Sequence, residues 1–258
     1  MHPRAGLIGD ARGAAAVVST DMSGPRATGV DALLDEVDAQ VTRARGHGLV
    51  LAHRYWRDSP VDDLRARRAD DVAGLVLSHL DLAGSRPDGT TGLRVFTPTV
   101  AEHGWSTGHT VVQVVVEDMP FLVDSVVAAL TTAGVTVHEV IHPVLLVRRD
   151  VTGALLEVLD DDPPHRSVLG TDRRVESWIH VEIGRETDPA ALRRIQDDLA
   201  GVLRDVAECV EDYPKMRRAA LDVADAIISS QLPVADQEVV DAEELLRWLA
   251  DDHFTFLG

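Results

Sequence analysis

Residues 110–149 constrain the fold more than any other stretch. Positions 110–117 read TVVQVVVE, a near-continuous valine run. Val112, Val114 and Val116 line one face of such a strand, and Val111, Gln113, Val115 and Glu117 line the other. Apolar side chains on both faces predict a central strand, covered on each side. The run ends in Asp118-Met119-Pro120, and a helical period follows. Val123, Val126, Val127 and Leu130 fall at the i, i+3, i+4, i+7 spacing of a buried stripe. Gly134 suits a left-handed C-cap, and a second long strand returns over 135–149 with a bend at Pro143. The unit is β-α-β.

Downstream, Asp150-Val151-Thr152-Gly153 has hairpin-turn chemistry and predicts a paired strand over 154–159. The loop 160–171, with Asp160, Asp161, Asp162, Pro163 and Pro164, is expected to be exposed. Another strand, 175–183, places Ile179, Val181 and Ile183 on one face. Asp188-Pro189 then caps a helix with Leu192, Ile195, Leu199, Val202, Val206 and Val210 as its stripe. Strand, helix, strand hairpin, strand, helix predicts an α+β two-layer sandwich. Its sheet is mainly antiparallel with helices on one face, close to the ferredoxin-like arrangement, and flanking helices are added.

Ahead of this unit lies a short strand over 93–96. Two helices precede it: 31–45, carrying Leu33, Leu34, Val37 and Val41, and a second opened by Ser59-Pro60. The second carries Val61, Leu64, Val72, Leu75, Val76 and Leu80 and ends near Gly84. Tyr55 and Trp56, just before it, are expected as packing anchors. After Pro214 a new helix is expected to about Gln231, then a helix over 238–251 and the start of a strand at 253–257. The expected organisation is a disordered 1–29, a leading helical subdomain over 30–84, the sandwich over 90–212, and a helical linker over 213–258. Ending inside an apolar alternating run, the chain reads as cut from something longer.

Charge narrows the function classes. Against 25 basic residues stand 43 acidic ones, a net charge of −18, which repels phosphate backbones and argues against nucleic-acid binding. Arg65, Arg67 and Arg68 alternate with acids and read as a solvated helix face. Cys209 is the sole cysteine, so no intrachain disulfide or cysteine-rich metal site can form; its apolar helical spacing predicts a small core residue. No segment approaches the roughly 20 apolar residues of a membrane span, and no signal peptide is evident. A cytoplasmic protein is expected.

The β-α junction is the best candidate site: Asp118, Met119, Pro120, Phe121, Leu122, Val123 and Asp124. A helix N-terminus offers unpaired N–H groups and a positive dipole end to a ligand carboxylate, and Asp118 can receive a ligand ammonium. The plainer alternative is a well-capped core helix with Asp118 serving the turn. His138 and His142 share a strand face, with His109 and His180 on other strands and Glu182 as a further ligand. At i, i+4 on a strand, however, His138 and His142 stand roughly 13 Å apart, too far to share one ion. No metal site is therefore assigned. Glu176, Glu182, Asp160, Asp161 and Asp162 read as solvated acids. The patterns GxGxxG, GxxxxGK[ST] and GxSxG are absent, so no cofactor-binding or catalytic residue is assigned.

The wording of 102–149, EHGWSTGHTVVQVVVEDMPFLVDSVVAALTTAGVTVHEVIHPVLLVRR, closely resembles the N-terminal region of the very large bacterial NAD-dependent glutamate dehydrogenases. So do 94–100 (RVFTPTV), His103-Gly104-Trp105, 177–183 (SWIHVEI), Tyr213-Pro214-Lys215-Met216, 245–249 (LLRWL) and 252–258 (DHFTFLG). Together these cover about 33–258. The resemblance implies an ACT-like regulatory module, remote in sequence from the catalytic domain, that binds an amino-acid effector at 118–124. ACT domains that bind amino acids typically carry glycine just after the proline; Phe121 stands there and is expected to crowd or plug the pocket. The implied parent oxidises L-glutamate to 2-oxoglutarate and ammonium with NAD, a cofactor not expected to bind these residues. The implied partners are the remainder of the polypeptide and other subunits of a homo-oligomer. Alternatives left open are a ligand-free assembly module and a free-standing enzyme.

Overall fold

The computed structural model describes residues 28–45, 51–57, 59–161 and 171–256. Expectations for 1–27, for most of the loop 160–171 and for 257–258 lie outside them. Among the described residues six strands form one antiparallel sheet: β1 (Gly92–Phe96), β2 (Thr110–Glu117), β3 (Val137–Ile141), β4 (Val144–Arg149), β5 (Leu155–Val158) and β6 (Arg173–Ile183). The order is β1-β2-β6-β4-β5, with β3 also paired to β6. Strand β6 is the axis of the sheet. Along one edge it pairs with β2 from Thr110↔Ile183 to Glu117↔Glu176. Along the other edge, β4 pairs with its first half and β3 with its second.

The bend expected at Pro143 divides the returning strand into β3 and β4. Proline has no N–H for the ladder, but its carbonyl still accepts from Trp178 N at 3.0 Å. The turn after β4 forms as expected. Asp150 Oδ1 accepts from Thr152 N and Ala154 N, and Gly153 takes φ 86°. A Cβ at residue 153 would overlap the Arg86 backbone, so glycine is required on two counts.

Helices α6 (Leu122–Thr132) and α7 (Pro189–Ser229) cover one face of the sheet. Their Leu122, Val126, Leu130, Leu199, Leu203 and Val206 pack on Val112, Val114, Val116, Ile179, Val181 and Ile183. This is the two-layer sandwich that the order of elements predicts. The opposite face receives the leading helices: α1 (Thr28–Arg45), α2 (Leu51–Tyr55), α3 (Val61–Arg65) and α4 (Ala69–Ala83). Leu34, Val37, Val41, Leu51, Tyr55, Trp56, Val72, Leu75 and Val76 share one core with Val111, Val115, Leu145, Val147 and Trp178. The leading helices therefore form a third layer on the sheet.

Three expectations about helices need correction. The helix expected from Pro60 to Gly84 is interrupted, because Arg68 adopts an extended conformation as the N-cap of α4. The break turns Arg67 inward. Helix α7 does not stop at Pro214 but runs through it for 41 residues. Pro214 lies on the exposed side, and the helix beyond it is held by packing against α8 (Asp236–Trp248). Finally, 249–253 forms a short π-helical turn, and 254–256 is irregular where a strand was expected.

A ferredoxin-like unit closes with a strand after its second helix. Here α8 follows α7, and the place alongside β2 is filled from the other direction by β1. A small helix, α5 (Val100–His103), sits in the β1–β2 connection.

Candidate functional site

At the β2–α6 junction the chain leaves the sheet at Asp118, whose N–H donates to Val175 O at 3.0 Å. The hydroxyl of Ser177, opposite Val116 on β6, donates to Asp118 Oδ1 at 2.7 Å. That hydroxyl has one proton, so the 2.9 Å contact with His142 Nε2 requires the imidazole to donate. Asp118, Ser177 and His142 thus form a directed chain from β2 across β6 to the β3–β4 bend.

Helix α6 begins without a side-chain cap. Its first N–H groups have no capping side chain, and the dipole adds positive potential there. Phe121 is the N-cap at φ 71°, the only described non-glycine residue with positive φ. Phe121 is half-exposed, at 46%. Leu122 is buried in the core, Met119 and Val123 pack against it, and Asp124 is exposed in the first helical turn. Of the seven candidates, Asp118 has its carboxylate fixed by Ser177, and Phe121 opens a helix N-terminus that lacks a side-chain cap.

The histidines separate into different neighbourhoods. His138 stacks on His109 with ring centroids 4.2 Å apart, while His142 belongs to the Asp118 chain. His109 Nδ1 contacts Glu182 Oε2 at 2.9 Å, and His180 Nε2 stands 3.5 Å from Glu182 Oε1. Among the described residues no group of three His, Cys, Asp or Glu side chains is arranged to hold a metal ion. The cation in this cluster is Arg67, which bridges Glu139 and, at 2.8 Å, Glu182. Those glutamates are direct cross-strand partners, a like-charge pairing that needs a cation between them.

Arg67 and the acids of β6 are thus not solvated as their sequence context suggests. Burial alone would raise the Glu182 pKa, but His180, Arg67 and His109 outweigh it and hold the carboxyl at about 2. Glu139, where burial dominates over Arg67, is shifted upward. Glu176 is fully buried between two guanidinium groups, with Arg149 Nε at 2.6 Å and Arg86 Nη2 at 2.7 Å. Burial pushes Glu176 up, yet Arg149 and Arg86 bring it below the ordinary carboxylate value. Trp178 Nε1 adds a bond to the same carboxylate at 3.1 Å. The sequence signal that was available was position: Glu176, His180 and Glu182 alternate with apolar residues on a strand whose other face is core. On a central strand, both sets are buried.

The split β-α-β sheet, with α6 and α7 packed on one face, defines an ACT-like α+β domain. The sequence pattern of the family described as glutamate dehydrogenase, ACT1 domain, matches residues 51–199, and the chain belongs to that family. It is 39% identical over 211 residues to the NAD-specific glutamate dehydrogenase of Halomonas elongata. It is 33% identical over 209 residues to the enzyme of the same name from Pseudomonas aeruginosa. Each match covers 81% of this chain but 13% of the relative. A third, from Mycobacterium tuberculosis, is 32% identical over 57% of this chain and 9% of the relative. The chain therefore corresponds to a small part of the curated relatives it matches. No helix among the described residues is long and apolar enough to cross a membrane.

Proposed function

We propose that this chain is a non-catalytic regulatory module of a cytoplasmic, NAD-specific glutamate dehydrogenase. The parent would convert L-glutamate, NAD and water to 2-oxoglutarate, ammonium and NADH, with the catalytic residues elsewhere in the polypeptide. An amino-acid effector would bind at the β2–α6 junction, its carboxylate on the first turn of α6 and its ammonium on Asp118. The observation that carries this reading is the uncapped α6 N-terminus beside a carboxylate that Ser177 holds in place.

A second reading is an assembly scaffold that contacts other subunits or the rest of the polypeptide and binds no ligand. It is favoured by the half-exposed Ile228, Leu245 and Trp248 on α7 and α8. A thermal-shift titration of the 258-residue chain with a panel of amino acids separates the two. A ligand at a hundred times its dissociation constant adds about 2.7 kcal/mol, roughly 5–10 °C for a chain of this size. A selective shift that disappears in Asp118→Ala supports effector binding. A folded sample that shifts with no amino acid leaves the scaffold reading.

A further inference from the structure

Two histidines, His79 and His180, are buried between the leading helices and the sheet. His79, on α4, has its Nδ1 2.6 Å from the Tyr55 hydroxyl of α2 and its Nε2 3.0 Å from the Val114 carbonyl of β2. A carbonyl only accepts, so Nε2 carries the proton, and a neutral ring leaves Nδ1 to accept from Tyr55. Trp178 of β6 closes the space, its ring centroid 5.1 Å from that of His79. His180, on β6 in register with Gln113, is fully buried; its Nδ1 has no hydrogen-bond partner, and its Nε2 has only the long 3.5 Å contact with Glu182 Oε1. Both imidazoles are neutral bases sealed in an interface.

We propose that the α1–α4 layer is an acid-releasable cap on the sheet, held closed while His79 and His180 remain neutral. The two hydrophobic clusters share the sheet but no residue. Lifting α1–α4 therefore opens one cluster and leaves α6 and α7 packed on the other face. Opening would bring both imidazoles into water, where they bind protons near pH 6.5.

The charges around the pair favour that direction. His79 faces His180 and Arg94 of β1, with Tyr55 across from it; burial, His180 and Arg94 lower its pKa to about 3. His180 faces Glu182 on its own strand and Arg67 from the α3–α4 link. Burial lowers its pKa despite Glu182. Glu139 opposes release, since burial raises its pKa in the closed state and the proton held there is given up on opening. Release is read between pH 7.5 and 5.5, the interval that spans the ordinary imidazole value. Asp38 titrates within the α1–α2 contact, where it accepts from Ala52 N, and moves with the cap.

Each newly exposed imidazole multiplies the opening constant about 10-fold between pH 7.5 and 5.5, and two multiply it about 100-fold. Hydrogen exchange of the 258-residue chain, corrected for the intrinsic pH dependence of exchange, reads this directly. Amides of 69–83 should lose about 100-fold protection across that interval while those of 122–132 hold theirs. A joint loss in both helices, or no loss in 69–83, overturns the proposal. So does an undiminished loss in the double variant His79→Gln, His180→Gln. Should that variant fail to fold, NMR of the wild-type imidazoles decides: titration of either ring in the closed state between pH 7.5 and 5.5 removes the basis for release.

Discussion

Gly74 sits in the interior of α4, where alanine would ordinarily gain about 1 kcal/mol of helix stability. A Cβ at this position would overlap the Trp105 side chain, so the expected sign is reversed. Gly74→Ala should lower the urea midpoint, by about 1–3 kcal/mol of overpacking; an increase would show that Trp105 has room to move. Glu176 tests a different effect. In Glu176→Gln, Arg86 and Arg149 would remain buried without their counter-charge, and about 3–5 kcal/mol should be lost. Unchanged stability would mean that the neighbouring carbonyls suffice for both guanidinium groups. At this scale sequence reading reached Tyr55 and Trp56, because aromatic residues at a helix approach are usually anchors, and both are buried. It missed Arg67, because a lone break in a helical period leaves no trace in residue spacing. Only the extended backbone at Arg68 sends Arg67 inward while Arg65 and Arg68 stay exposed.

Helix α6 enters the fold through a left-handed residue that is not glycine. A side chain at φ near +70° costs roughly 1–2 kcal/mol, and Phe121, 46% exposed, recovers only part of an aromatic side chain's burial. Phe121→Gly should leave stability unchanged or raise it by up to about 1 kcal/mol, whereas Phe121→Val should lower it. A clear loss with glycine would reveal a contact made by the ring. The punctuation of this unit was legible in residues 110–149, since strand parity, helical period and glycine caps are all local properties. Helix α7 was less legible. Pro214 is a local breaker, and the reading of two helices followed from it. Continuity comes from α8, which packs along the distal half of α7 and is distant from Pro214 in sequence.

Proton linkage belongs to the whole molecule. The unfolded chain protonates His79 below pH 6.5, while the native state waits until about 3, so stability falls as pH drops through that interval. The rate is at most about 1.4 kcal/mol per pH unit for each such proton. Asp38 acts in reverse. Burial raises its pKa to about 6, so the native state gains a proton first and recovers part of the loss between pH 6 and 3.8. Below pH 4.5, Glu182, held at about 2 in the native state, adds to the decline. Urea unfolding at pH 7, 5.5 and 4 should show a shallow loss and then a steep one; a flat profile to pH 4 would refute this account. Residue order by itself determined the central valine strand, the split β-α-β unit, the hairpin at Asp150 and the family resemblance, because each is written in local period and turn chemistry. Tertiary structure alone decided that the leading helices cover the second face of the sheet and that β1 fills the edge beside β2. It also decided that Arg67, Glu176, His79 and His180 are buried. Those outcomes depend on which surfaces meet across long separations, and a helix stripe states that it must be covered without stating by what.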